Sequence, residues 1–232
     1  MEGPTTEKFR ILSYSSEPFS NRAEAGKLLA DALREYRGKK AVVLGIPRGG
    51  MIVAREIARE LNADLDIIVA HKLRTPGQGE LAMGSISERG DLFLNQEVLR
   101  DANVNDSDIE DEKTIQKTEM ECRIKLFRAV KPRIPLKSWI VIVTDDGVAT
   151  GATTQAAIKA AQAEKPKRLI LAVPVGSEDT LRELAADVDV LVCLKSPAGL
   201  TAIGQVYRHF EAVTDDEVLE ILKNYRVKEE AR

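Results

Sequence analysis

The chain reads as α/β, a doubly wound parallel sheet, and two observations carry that reading. Short apolar runs of strand length alternate with segments of helical period, which points to strand–helix–strand units in parallel pairing with right-handed crossovers. At 232 residues, 44% of them hydrophobic and 31% charged, the chain is long enough to bury a sizeable core without disulfide or metal support. The expected organisation is a single domain over 1–232 with its core at about 21–195, and added segments at 1–20, 106–135 and 195–232.

After an extended N-terminal stretch, Ala25, Leu28, Leu29, Ala32, Leu33 and Tyr36 follow the i, i+3, i+4 spacing of one buried stripe, so a helix is predicted over about 21–37. Asn21 and Glu24 suit a capping box at its start, and Gly38 suits its stop. AVVLG (41–45) reads as a buried strand, MIVAREIARELN (51–62) as a helix and DIIVAHK (66–72) as a second strand. LRTPGQGELAMG (73–84) is glycine-rich and reads as a mobile loop. SIS and LFL, joined by ERGD, predict a hairpin. A charged helix follows over 106–129 with a weak apolar stripe, Ile109, Met120, Ile124 and Phe127, ended by Pro132 and Pro135. Alternation resumes with strand 139–144, helix 152–163, strand 168–175, helix 178–186 and strand 189–194. The last helix starts at Thr214, with Glu217 completing a capping box, and turns Val218, Leu219, Ile221 and Leu222 inward.

Charge and composition exclude several classes. With 34 basic and 37 acidic residues the net charge is −3 and the pI about 5.6. General nucleic-acid binding usually shows as a basic domain, so that class is disfavoured. The cluster Arg123, Lys125, Arg128, Lys131 and Arg133 reads as a solvated face. No apolar run approaches the ~18 residues of a membrane span. The first residues carry charges where a signal peptide needs an apolar stretch, so a cytoplasmic location is expected. Cys122 and Cys193 form no short-spaced ligand pair with each other or with His71 and His209, and read as buried thiols.

The chemistry is concentrated in WIVIVTDDGVATGATTQAAIKAA (139–161). An apolar strand ends in adjacent carboxylates, Asp145 and Asp146, a small-residue turn follows, and a helix begins at once. Open α/β sheets bind ligands at the carboxyl ends of their strands. Backbone N–H groups of Thr150 to Thr153 would point out of the helix N-terminus, Gly151 permits close approach, and the Thr150 and Thr153 hydroxyls add donors. Two carboxylates beside such an anion cradle suit a sugar diol, or a divalent cation, on a phosphorylated sugar.

TDDGVATGATT with its preceding strand resembles the PRPP-binding motif of the type I phosphoribosyltransferases. The resemblance implies that family's doubly wound fold, with a mobile loop and a hood built from the added segments. It implies that Asp145 and Asp146 bind the ribose hydroxyls of 5-phosphoribosyl 1-diphosphate (PRPP), and that Ala149, Thr150, Gly151, Ala152 and Thr153 hold its 5′-phosphate. VLGIPRGGMIVAREIA (43–58) is similar to the family's diphosphate loop, which assigns Pro47, Arg48, Gly49 and Gly50 to PRPP binding. There Arg48 supplies a permanent charge and the glycines close approach. HKLRTPGQGELAMG (71–84) stands where the family's closing loop stands, so Lys72 and Arg74 join Arg48, Asp145 and Asp146 as catalytic candidates, while His71 reads as a packed strand-end histidine. More closely still, IPRGG and DDGVATGAT are similar to a group of bacterial and archaeal phosphoribosyltransferase-domain proteins with no settled nucleobase.

The implied reaction is Mg²⁺-dependent displacement of diphosphate from PRPP by a nitrogen acceptor, with Mg²⁺ carried by PRPP and touching Asp145 or Asp146. The resemblance also implies a homodimer. Ala149 stands where 6-oxopurine members carry an Asp, which argues against hypoxanthine and guanine. Tyr207 and Phe210 are either base-stacking residues or core. A PRPP-binding regulator without turnover fits the same motifs. A receiver-type domain holding Mg²⁺ on the acid pair explains neither Gly49 and Gly50 nor the TGAT turn.

Overall fold

The computed structural model describes residues 8–226. Along them run β1 (Phe9–Ser13), α1 (Arg22–Ala32), β2 (Ala41–Gly45), α2 (Gly50–Leu61), β3 (Asp64–Ile67), β4 (Ala70–Thr75), β5 (Gln78–Ser87), β6 (Leu92–Leu94), α3 (Gln96–Asp101) and α4 (Asp106–Val130). The second half adds β7 (Ile140–Thr144), α5 (Ala152–Ala163), β8 (Arg168–Val175), α6 (Glu178–Ala185), β9 (Val190–Lys195) and α7 (Asp215–Asn224). Six strands form one parallel sheet in the order β1-β9-β8-β7-β2-β3. β4, β5 and β6 form a separate antiparallel sheet.

Strand alternation divides the core into two layers. Val43, Ile142, Ile170 and Val192 belong to the layer of α1 and α2, with Leu29 and Ile57, and α7 adds Val218 and Leu222 to that core by packing on α2 and α4. Val42, Val141, Val143, Leu171 and Val173 face α5 and α6, meeting Ile158, Ala161, Leu181 and Leu184. Each such side chain contributes roughly 1.5–3 kcal/mol by leaving water. Both helix layers are needed because both faces of the sheet are apolar.

Several expectations are corrected. The run 66–72 is not one strand. Asp64–Ile67 belongs to the main sheet, and after Ile68 donates its N–H to the Gly45 carbonyl at 3.0 Å the chain leaves to begin β4. Apolar residues continue through the break because both sheets bury them, so hydrophobicity carries no mark of it. The glycine-rich stretch 71–84, read as a loop, forms the β4–β5 hairpin, with Pro76 and Gly77 at its turn and Leu73 and Met83 fully buried. Gly84 is required there because a Cβ would run into the Phe93 carbonyl of β6. The hairpin of SIS and LFL forms as β5 and β6.

Residues 9–13, expected among the added segments, form an edge strand of the main sheet beside β9, and residues 1–7 lie outside the described residues. The first helix ends at Ala32 and continues only as a 3₁₀ turn, Arg34–Tyr36. Its capping box is half formed: Asn21 Oδ1 accepts the Glu24 N–H at 3.0 Å, but the Glu24 carboxylate accepts from Ser20. The box at Thr214 and Glu217 is complete. α3 was not anticipated, and it buries no residue that would have marked it.

Of the two thiols, Cys193 is buried and Cys122 is exposed on α4, contrary to expectation. The basic face is not simply solvated either. Arg128 pairs with Asp66 at 2.7 Å and with Glu88 at 3.0 Å, and Arg133 pairs with Glu88 and Glu164. His71 packs as expected, its Nδ1 2.9 Å from Gln116 Oε1. Among the described residues no helix is long and apolar enough to cross a membrane.

Candidate functional site

β2 and β7 lie side by side with Gly45 opposite Thr144, and from this pair the sheet is wound in opposite directions. Their carboxyl ends therefore open a crevice where two loops diverge, the position at which such sheets bind ligands. From β2 comes the turn Pro47–Gly49, whose Pro47–Arg48 peptide is cis, with Arg48 exposed at its tip. From β7 come Asp145 and Asp146, and then the Ala149–Gly151 turn into α5.

These loops touch. A Cβ on Gly49 would overlap Asp146 Oδ2, and one on Gly50 would lie 2.8 Å from the Asp145 Cα and 2.9 Å from its Oδ1. The glycines thus admit the acid pair itself, in addition to any diphosphate. Since Gly49 has φ −61°, alanine there meets no backbone obstacle, only this contact. Gly49→Ala should therefore displace Asp146, cost about 1–3 kcal/mol of stability and weaken PRPP binding roughly tenfold. A calorimetric titration beside a thermal melt checks both, and unchanged affinity would remove the contact from the argument.

Asp146 is held from three sides. Arg22, only 8% exposed, donates from Nε to Asp146 Oδ2 at 2.7 Å and from Nη1 to the Glu211 carbonyl at 2.9 Å. Its guanidinium carbon sits 3.7 Å from the centre of the Phe210 ring. Phe210 stacks on Tyr207 at 5.0 Å, and the Tyr207 hydroxyl donates to the Asp146 carbonyl at 2.7 Å. Burial and the Asp146 charge push the Tyr207 hydroxyl pKa well above its usual value, so it is a donor at neutral pH. Asp145 Oδ1 accepts the Asp146 N–H at 2.8 Å. Burial first, and the Asp146 charge second, push the Asp145 carboxyl well above the ordinary carboxylate range.

The turn expected to hold an anion leads directly into α5. Gly151 has φ +79° and caps α5 with no side-chain bond, so the first N–H groups of the helix face outward unfilled by any cap. Thr150 and Thr153 are exposed, and Ala149 is fixed by a bond from Thr180 Oγ1 to its carbonyl at 3.3 Å. Gly147 is needed because a Cβ would meet Ile203 and Val175.

The sequence pattern of the phosphoribosyl transferase domain matches residues 20–207, a span containing both loops and all but Phe210 and Glu211 of the groups around Asp146. The chain belongs to that family. A Mycobacterium tuberculosis protein, whose name assigns it provisionally to the phosphoribosyl transferases, is 43% identical over 204 residues, 88% of this chain. The chain spans about half the length of that relative, 46% of it. A Thermus thermophilus crystal structure is 39% identical and superposes with a TM-score of 0.83, covering 89% of this chain and 98% of that one.

In this phosphoribosyl transferase domain the structure joins Pro47, Arg48, Gly49 and Gly50 to Asp145 and Asp146, with Ala149 to Thr153 directly after them. Lys72 and Arg74 lie on β4 of the second sheet, which packs against α5, the helix that follows the Ala149–Gly151 turn. The Arg74 N–H is bonded by Glu112 and its side chain is exposed. Arg22 was not anticipated at all: at the start of α1 it looks like a solvated helix residue, and only the 124-residue return of the chain makes it Asp146's partner. Tyr207 acts as core and support rather than as a free stacking surface.

Proposed function

We propose that the domain binds PRPP in the β2/β7 crevice and transfers its phosphoribosyl group to a nitrogen acceptor, releasing diphosphate. The observation that carries this is the contact of the Gly49–Gly50 turn with Asp145 and Asp146, which joins the diphosphate-binding and ribose-binding halves of the family pattern at one point. Asp145 and Asp146 accept the ribose hydroxyls. The N–H groups and hydroxyls of Thr150 to Thr153 take the 5′-phosphate, and Arg48 the diphosphate. The acceptor nitrogen then forms a bond to the anomeric carbon as the carbon–oxygen bond to diphosphate breaks; diphosphate leaves with the electron pair, and the proton shed by the nitrogen passes to water or to the departing diphosphate. Positive charge developing on the ribose faces the two carboxylates, and negative charge on the leaving group faces Arg48. Lys72 and Arg74, on the β4–β5 hairpin that packs against α5, would add positive charge over the diphosphate.

Mg²⁺ fits here as a companion of PRPP rather than as a resident ion. Arg22 already occupies Asp146 Oδ2, and among the described residues no group of three or more His, Cys, Asp or Glu side chains could hold a metal. Bound to the diphosphate, Mg²⁺ would offset charge on the leaving group, with Asp145 as the available carboxylate. Ala149 offers an acceptor no carboxylate, which turns the reading away from 6-oxopurines. The resemblance further supports a cytoplasmic homodimer.

The test is calorimetric titration with PRPP, with and without Mg²⁺. Saturable binding, tighter with Mg²⁺, is expected; no heat at millimolar PRPP removes this reading. Diphosphate release across a panel of amines then separates transferase from regulator. The engagement of Arg128 and Arg133 in ion pairs disfavours the version of the regulator that binds nucleic acid.

A further inference from the structure

We infer that Gln116 and Glu112 of α4 are positioning residues for Lys72: they fix strand β4 on either side of it and so set where its ammonium group stands over bound PRPP. This role presupposes the reading that PRPP lies in the β2/β7 crevice, and it names what holds the hairpin beside that crevice.

Gln116 is 2% exposed, in the middle of the charged helix α4. A buried amide needs a partner at each end. Its Nε2 donates to Glu112 Oε1 at 3.0 Å, and its Oε1 lies 2.9 Å from His71 Nδ1. The same Glu112 oxygen accepts the backbone N–H of Arg74 at 3.1 Å. A carboxylate offers only acceptors, so Gln116 turns its amide nitrogen to Glu112 and its carbonyl to His71. His71 Nδ1 therefore carries a proton, and one relay ties residues 71 and 74 of β4 to α4.

The relay falls where the strand pairing is irregular. The β4–β5 ladder shifts register between Leu73 and Arg74, and again between Arg74 and Thr75. Such irregularities leave backbone groups short of ladder partners and re-aim the neighbouring side chains. At this point the Arg74 N–H finds its acceptor on α4.

Lys72 lies between the two anchors. Leu73 packs in the core with Met120 and Phe127 of α4, and strand alternation puts Lys72 on the opposite face. Its neighbour across the ladder is Ser85, which lines a cleft against α5 together with Ala152 and Gln155. Ala152 is the first residue of α5, directly after the Ala149–Gly151 turn. Lys72 thus belongs to the side of the hairpin that faces α5. A lysine stem is flexible, so the place of its charge depends on how firmly its backbone is held.

Two measurements test this, and the first needs no ligand. Two-bond proton–nitrogen NMR, recorded above the usual titration range of imidazole, is expected to show His71 protonated at Nδ1 and bare at Nε2. Gln116→Met removes that signature. His209 is the other histidine and is exposed, so His209→Gln assigns the signals. A parent chain with His71 bare at Nδ1 overturns the relay.

The second is calorimetric titration with PRPP. Glu112→Leu and Gln116→Met are each expected to weaken binding about fivefold, while Glu112→Gln, which keeps an acceptor oxygen, stays within about twofold of the parent. In a Lys72→Met background Glu112→Leu and Gln116→Met should have almost no further effect, because they act through that side chain. Glu112 is partly exposed, so unchanged thermal melts of its variants separate lost position from lost fold. Losses that add in full to that of Lys72→Met make the relay a structural support only and overturn the proposal. Affinity indifferent to Glu112→Leu overturns it as well and leaves the PRPP reading standing. No PRPP heat in the parent chain removes that reading and the positioning role together.

Discussion

Replacing both carboxylates, Asp145→Asn with Asp146→Asn, abolishes PRPP binding measurable by calorimetry. In the proposed complex each carboxylate would contribute charge-assisted bonds to a ribose hydroxyl at roughly 1.5–3 kcal/mol, so losing both is expected to weaken binding at least about a hundredfold. The single variants part company in stability. Asp145's pKa is raised in the fold, so ionising it opposes folding: this group's contribution to stability is greatest below the ordinary carboxylate range and falls as pH rises from there towards the folded value. Asp145→Asn removes that penalty and raises the melting temperature near neutral pH. Asp146→Asn removes the charge that answers Arg22 and lowers it. Thermal melts at pH 4 and pH 8 check the sign. Equal effects from the two variants would contradict the geometry, and full PRPP affinity in the double variant would sink the function.

The second large effect is expected at Arg22. Arg22→Met leaves Asp146 without its guanidinium, Glu211 without its donor and Phe210 without the cation over its ring. Breaking a buried pair on one side costs about 3 kcal/mol, equivalent to roughly 6–12 °C in a chain of this size. Arg22 also lies among the charges that draw the Asp145 carboxyl downward. Its loss therefore raises that carboxyl further, and the pH above which PRPP binds moves up. Arg22→Lys keeps a charge but not the planar fork that reaches Asp146 and Glu211 together, so it restores only part of the affinity. An Arg22→Met protein that melts lower but binds PRPP with an unchanged pH profile would reduce Arg22 to a structural role.

Much of this was legible in the sequence because it depends on local chemistry. Strands 41–45 and 168–175 end where their apolar runs end, and the Thr214 cap closes as Thr and Glu three residues apart dictate. The acid pair and the TGAT turn declared an anion site, because carboxylates at a strand end and a positive-φ glycine before a helix are properties of adjacent residues.

Other features depend on what a residue meets across the fold. The run 66–72 divides between two sheets because each offers it an apolar partner, and the glycine-rich stretch is a hairpin because Leu73 and Met83 are buried beneath it. Gly49 must be glycine for a carboxylate nearly a hundred positions away, and Arg22 pairs with the same carboxylate. The sequence by itself named the two loops and the acid pair and missed Arg22. Tertiary structure alone decided that β2 and β7 would stand side by side, that Arg22 would close on Asp146 and that Lys72 would lie in the second sheet. Parallel pairing of distant strands sets those distances, and no local pattern encodes them.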